Sequence, residues 1–202
     1  METFYAGGRV APAAVSIFKS LAAAAVAITL TTSAFANLVV NGGFETGNLT
    51  GWVELGNSGF TGVTCPGPGP TVFEGDCSAF SGPVGSTGSI AQAVVPTTAG
   101  QLYTISFWAL FDGGTPSLFS ASFGPTILLS LSNPAVGPHL FSFSANGLST
   151  ATTLTFTFRD DPGFILLDAV SVVQAAVPEP ATLVLLALGL LAIAIARTRK
   201  TI

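Results

Sequence analysis

The stretch "LYTISFWAL", residues 102 to 110, alternates without a break: Tyr103, Ile105, Phe107 and Ala109 fall on one side of an extended chain, and Thr104, Ser106 and Trp108 on the other. Successive side chains of a β-strand point to opposite faces, so this pattern predicts a strand with one face in a core and one turned outward. "TTLTFTFR", Thr152 to Arg159, repeats it, with Leu154, Phe156 and Phe158 opposed to Thr153, Thr155, Thr157 and Arg159. Working outward, "SIAQAVV", "HLFSFS" and "FILLDAVSVV" supply further strands bounded by Gly, Pro, Asn and Asp. "DDPG" at Asp160 to Gly163 is turn chemistry, because Pro presets its backbone angle and Gly accepts a positive φ. Its adjacent acids are therefore read as a turn rather than as a catalytic pair. Many short strands separated by turn signals, with no sustained helical period, predict an all-β antiparallel β-sandwich of the jelly-roll kind over residues 37–174.

The charges divide by region. Arg9 and Lys19 precede this segment and Arg197, Arg199 and Lys200 follow it, which leaves Arg159 alone against Glu45, Glu54, Glu74, Asp76, Asp112, Asp160, Asp161 and Asp168. One basic and eight acidic residues give the segment a net charge of −7. Phosphate binding needs a cationic footprint, so nucleic acid is not among the expected partners. The acidic balance suits a metal cation, a neutral ligand or plain solubility.

Both ends read as targeting segments. Arg9 and Lys19, the apolar run Leu21 to Leu30 and "SAFA" at Ser33 to Ala36 have the layout of a secretory signal peptide, residues 1–36, with a helical apolar core. Ala34 and Ala36 occupy the small-residue positions of the cleavage site, and the mature chain is expected to begin at Asn37. At the other end, residues 175–202, Val177, Pro178, Glu179 and Pro180 lead into the apolar run Ala181 to Ala196 and then "RTRK". As a helix that run would reach about 24 Å at 1.5 Å per residue, slightly short of a ~30 Å hydrocarbon core. The basic end is expected to hold the C-terminus in the cytoplasm, with Pro-Glu-Pro on the outer side, extended and accessible. A single transmembrane helix that anchors the chain until processing is thus predicted, and a permanent anchor is the competing reading.

Export accounts for the cysteines. Cys65 and Cys77, the only two in the chain, bracket "PGPGPTVFEGD" and are expected to form a disulfide. His139 is the only histidine, and G-x-S-x-G and H-E-x-x-H are both missing, so the usual hydrolase and metalloenzyme sets are not present and no catalytic residue is expected. A carboxylate pair serving a glycosidase is the lesser possibility.

These residues carry two resemblances. "NLVVNGGFETGNLTGW" (Asn37 to Trp52), "SIAQAVVPTTAGQLYTISFWA" and "FILLDAVSV" resemble the conserved blocks of galactose-binding-like jelly rolls, the sandwich shared by many carbohydrate-binding modules. The "VPEP" tail resembles the PEP-CTERM sorting signal, which in that family is recognised by an exosortase, a membrane-embedded processing enzyme. The resemblances imply export, transient anchoring in the inner membrane through residues 181–196, and then the cell surface or the extracellular matrix, with extracellular polysaccharide as a partner. Two functions remain: a non-catalytic polysaccharide-binding module, or a structural or adhesive surface protein without a specific sugar ligand.

Two sites follow as expectations. Alternation in "FILLDAVSVV" puts Asp168 in phase with Leu166, Val170 and Val172, on an apolar face where a charge is costly unless paired, and Arg159 is the one partner available by charge. The galactose-binding-like resemblance implies a structural Ca²⁺ here, with Glu45 and Asp168 as the matching acids and carbonyls around Asn41 to Gly43 as further ligands; a protonated or hydrogen-bonded Asp168 is the alternative. For sugar, Trp108 on the outward strand face is one candidate surface and the loop between Cys65 and Cys77 another.

Overall fold

The computed structural model describes residues 36–175, together with Leu188 and Gly189. Ten strands follow one another: β1 (Val53–Gly56), β2 (Thr61–Thr64), β3 (Ser78–Ser81), β4 (Gly88–Val94), β5 (Leu102–Phe111), β6 (Ser117–Phe123), β7 (Thr126–Ser132), β8 (Gly137–Asn146), β9 (Thr152–Asp160) and β10 (Ile165–Gln174). They form two five-stranded sheets of order β1-β4-β9-β6-β7 and β2-β3-β10-β5-β8, so every strand of one sheet is reached by crossing from the other or by a hairpin. All pairings are antiparallel. The predicted signal peptide with its expected cleavage residue Ala34, the Pro-Glu-Pro segment and the predicted transmembrane run lie outside the described residues, apart from Ala36, Leu188 and Gly189.

Alternation builds the core as the sequence predicts. Tyr103, Ile105, Phe107, Ala109 and Phe111 of β5 and Leu154, Phe156 and Phe158 of β9 are buried between the sheets. Phe107 meets Phe156 edge to face at 4.9 Å, and Phe111 meets Phe119 of β6 at 5.4 Å in the same way. Each such ring removes enough apolar surface from water to contribute about 1.5–3 kcal/mol, with edge-to-face geometry adding about 0.5–1.5 kcal/mol. Trp52 joins this core beside Phe44 and Phe156, and its indole N–H donates to the Asn41 carbonyl at 3.2 Å.

The chain before β1 is tied to β10. Leu38 N–H donates to the Val172 carbonyl at 2.9 Å, and the Asn37 side chain both accepts from Val172 N–H and donates to the Val170 carbonyl. Gly42 is required for this approach, since a Cβ on it would lie 2.1 Å from the Val170 carbonyl oxygen. β10 itself is irregular. Its register with β5 shifts between Asp168 and Ser171, where Ala169 adopts φ 48°. One extra residue in a strand reverses the facing of everything beyond it. Ile165 and Leu167 therefore face the core on one side of the bulge and Val170 and Val172 on the other. Asp168 is not in phase with Val170 and Val172, as simple alternation has it. It sits on the outward face, opposite Trp108.

Candidate functional site

On the outward face of the second sheet, β5 presents Thr104, Ser106 and Trp108, flanked by β10 and β8. Trp108 has Asp168 opposite it on one side and Leu140 on the other. The phase assigned to Trp108 is right, but an open platform on it is not what the structure has. Its exposure is 4 %, because the loop between Cys65 and Cys77 folds over the sheet and lays Phe73 on the indole, centroids 6.0 Å apart and planes 27° apart. Phe73 itself is 52 % exposed. The two candidate surfaces of the sequence reading are thus one surface.

Three devices hold that loop down. Cys65 and Cys77 are joined by the expected disulfide. Asp168, fully buried, accepts from Phe73 N–H at 2.8 Å and Glu74 N–H at 3.0 Å through one oxygen and from Ala169 N–H at 2.6 Å through the other. Glu45 accepts from Asp76 N–H and Cys77 N–H, each at 3.0 Å. Gly75 makes room for it, since a Cβ there would lie 2.3 Å from a Glu45 oxygen and the residue has φ 75°. Carboxylates suit this work because each oxygen can take two N–H donors, and such bonds are stronger than neutral ones.

Burial lifts the pKa of Asp168 above the ordinary carboxylate range, the three backbone N–H donors oppose that rise, and the negative charge of Glu45 adds to it. Arg159 does not relieve the charge. Its guanidinium is bound to Asp161 at 2.6 Å, at the far end of β9, and this hydrogen bond chiefly holds Asp161 below its usual range. Glu45, whose charge reaches Asp168, lines an open pocket with Gly43, Glu74 and Gly75, while Asp168 itself is fully buried and not part of that lining. The hard oxygens of the two acids fit a cation such as Ca²⁺ in kind. The carbonyls of Asn41 and Gly42 are engaged elsewhere, with Phe44 N–H and Trp52 on the first and Val170 N–H on the second. Among the described residues no group of three or more His, Cys, Asp or Glu side chains is placed to hold a metal.

Sequence reasoning missed Phe73, although it lies inside the bracketed loop. Its signal was a lone aromatic in a run of Pro and Gly. Further along the same face Phe80 of β3 meets Phe164 edge to face at 5.5 Å, and Phe164 is 40 % exposed. The outward face of the first sheet is different, with Ser89, Thr157, Ser120 and Ser130 side by side across four strands. His139, half-buried on β8, holds the Ala135 carbonyl through Nε2 at 3.2 Å and packs against Phe111 and Phe141.

Comparison with known proteins agrees with this architecture. No curated protein matches the chain in sequence. Among solved structures, the carbohydrate-binding module TmCBM61 in complex with β-1,4-galactotriose is 16 % identical with a TM-score of 0.54, covering 69 % of this chain and 99 % of that one. The enzymatically active domain of tailspike protein 4 from bacteriophage CBA120 gives 17 % and 0.54, covering 69 % of this chain and 21 % of that one. The CBM22-1–GH10 modules of Clostridium thermocellum xylanase 10B, complexed with xylohexaose, give 18 % and 0.51, covering 70 % and 29 %. At these identities the likeness is one of fold. The family models reach further: residues 176–200 match the PEP-CTERM protein-sorting motif, and residues 36–159 match the carbohydrate binding domain model. The latter spans more than half of the sequence, on a two-sheet sandwich of the matching kind, and the chain belongs to the carbohydrate binding domain family.

Proposed function

We propose that this chain is an exported, non-catalytic module that binds a neutral polysaccharide at the cell surface, on the Phe73–Trp108 stack. The observation that carries the reading is the exposed ring of Phe73, backed by Trp108 and pinned by the backbone bonds to Asp168. A sugar ring stacks its C–H face on a flat aromatic, and a ring already held in place loses little freedom on binding. Leu140, two-thirds exposed beside Trp108, extends the apolar floor. The net charge of −7 over residues 37–177 would repel an acidic polymer, which is why the ligand is taken as neutral.

Delivery follows from the tail. An exosortase-type enzyme would cut near Val177 to Pro180 after the apolar run has held the chain at the inner membrane, in line with the sorting-motif match. A structural Ca²⁺ on Glu45 and Asp168 belongs to the same proposal, supported by the two neighbouring acids that no basic side chain among the described residues offsets. Its place would be structural, stiffening the loop anchor beneath Phe73.

Affinity electrophoresis of the protein through gels containing neutral β-glycans and the producing cell's own exopolysaccharide tests the binding. Retardation that disappears in Phe73→Ala and survives in Thr157→Ala, on the opposite sheet, is the expected result. Equal mobility of all three proteins in every gel would replace the binding module with a displayed structural one.

A further inference from the structure

At one end of the sandwich the loop after β5 meets the turn after β9, and two acids both lie against Gly114. Asp112 directly follows β5, and each oxygen of its carboxylate holds one backbone N–H: one accepts from Gly114 at 2.9 Å and the other from Phe164 at 2.7 Å. Asp160 closes β9 and is 1 % exposed, and its Oδ1 has no hydrogen-bond partner. A buried, unpartnered carboxylate oxygen beside a second carboxylate is expensive as an anion, for want of water on one side and for repulsion on the other. A cation has little room to bridge the pair, because the backbone of Gly114 already presses on that oxygen, which a Cβ there would meet at 1.9 Å. A proton needs no room.

We propose that Asp160 and Asp112 share one proton, forming a carboxyl–carboxylate clasp that ties the β5–β6 loop to the β9–β10 turn and opens as the pH rises. Protonated Asp160 donates to Asp112, which keeps its hold on Phe164 N–H, and the orphaned group becomes a donor with an acceptor. The charged groups around Asp160 are few. Asp112 neighbours it from the loop after β5, and Asp161 lies next to it in the turn, bound to Arg159 and to Gly85 N–H. Burial first, then the charge and hydrogen bond of Asp112, push Asp160 up to about 7, with a smaller push from Asp161.

The direction of the pH effect follows. A carboxyl that holds its proton more tightly folded than unfolded lends stability that is complete below its unfolded pKa and lost as the pH rises through its folded one. The loss therefore falls between about pH 4 and about pH 7 and is complete above it. The whole chain has five aspartates, so selective ¹³C labelling of aspartate carboxyls in the full-length protein in detergent gives five signals to follow. One of them is expected to titrate near neutrality, to vanish in Asp160→Asn, and to move to lower pH in Asp112→Asn. The melting temperature should fall from pH 5 to pH 8 in the parent protein and fall less in Asp160→Asn, whose amide can donate to Asp112 at any pH. Five carboxyls titrating below pH 5, or an unchanged pH slope in Asp160→Asn, would overturn the shared proton. If Asp160→Asn does not fold, the titration in the parent and in Asp112→Asn decides.

Discussion

Replacing Asp168 by Ala tests the central claim that a buried carboxylate fastens the aromatic loop to the sheet. Three N–H donors lose their acceptor, those of Phe73, Glu74 and Ala169. A hydrogen bond to a charged group contributes about 1.5–3 kcal/mol, so the gross loss for three is about 4.5–9 kcal/mol. Two terms reduce it. Phe73 and Glu74 are exposed, so their N–H groups regain water once the loop lifts, and the buried charge near Glu45 is relieved. The net cost is then about 2–3 kcal/mol, concentrated on Ala169 and on the lost stacking of Phe73. Urea unfolding in the presence of a chelator, so that no bound metal enters the difference, measures that cost. Tryptophan emission in the folded baseline reports the site itself, because Trp108 is uncovered while Trp52 stays in the core. A cost below about 0.5 kcal/mol, within the range of ordinary surface substitutions, with emission unchanged would refute the reasoning.

Phe73→Ala should abolish retention on the bound polysaccharide and shift Trp108 emission to the red, while costing only about 1 kcal/mol of stability, since half of the ring is already exposed. Addition of a calcium chelator should lower the melting temperature of the parent protein and leave Asp168→Ala unmoved; equal melting curves with and without chelator would remove the metal from the proposal. Mass spectrometry of the protein recovered from the cell surface should find Asn37 at its start and an end at or near Val177 to Pro180, and recovery of an intact "ARTRK" terminus would make the tail a permanent anchor.

The sandwich was legible because its signal is local. Strict alternation in β5 and β9 needs no knowledge of the partner strand, and Phe107 and Phe156 point where their position in the pattern says. The aromatic and hydroxyl positions of β6, Ser117–Phe123, alternate as plainly, with Phe119, Ala121 and Phe123 buried. What the sequence concealed depends on contacts distant along the chain. Trp108 has the phase of an exposed residue and is covered by Phe73, from the β2–β3 loop that a disulfide closes and that two carboxylates distant in the chain hold down. Asp168 has the phase of a core residue only if β10 is regular, and the bulge at Ala169 is a single residue in αL that its composition does not announce. Arg159 was read as the partner open to Asp168, but a neighbour two residues away was nearer to hand.

β10 also has a mechanical meaning. Gln174, its last residue, is followed directly by the tail, and the strand lies in the middle of its sheet, paired with β5 from Tyr103 to Phe111 and with β3 on its other side. A pull applied to the tail would run along this strand and load its ladder with β5 in shear, with many bonds stretched together instead of opening one after another. Asp168, which fastens the aromatic loop, is on the same strand. Tension between a polymer held at Phe73 and an anchored tail would thus pass through the seven residues Asp168 to Gln174 of one strand and leave most of the sandwich unstressed.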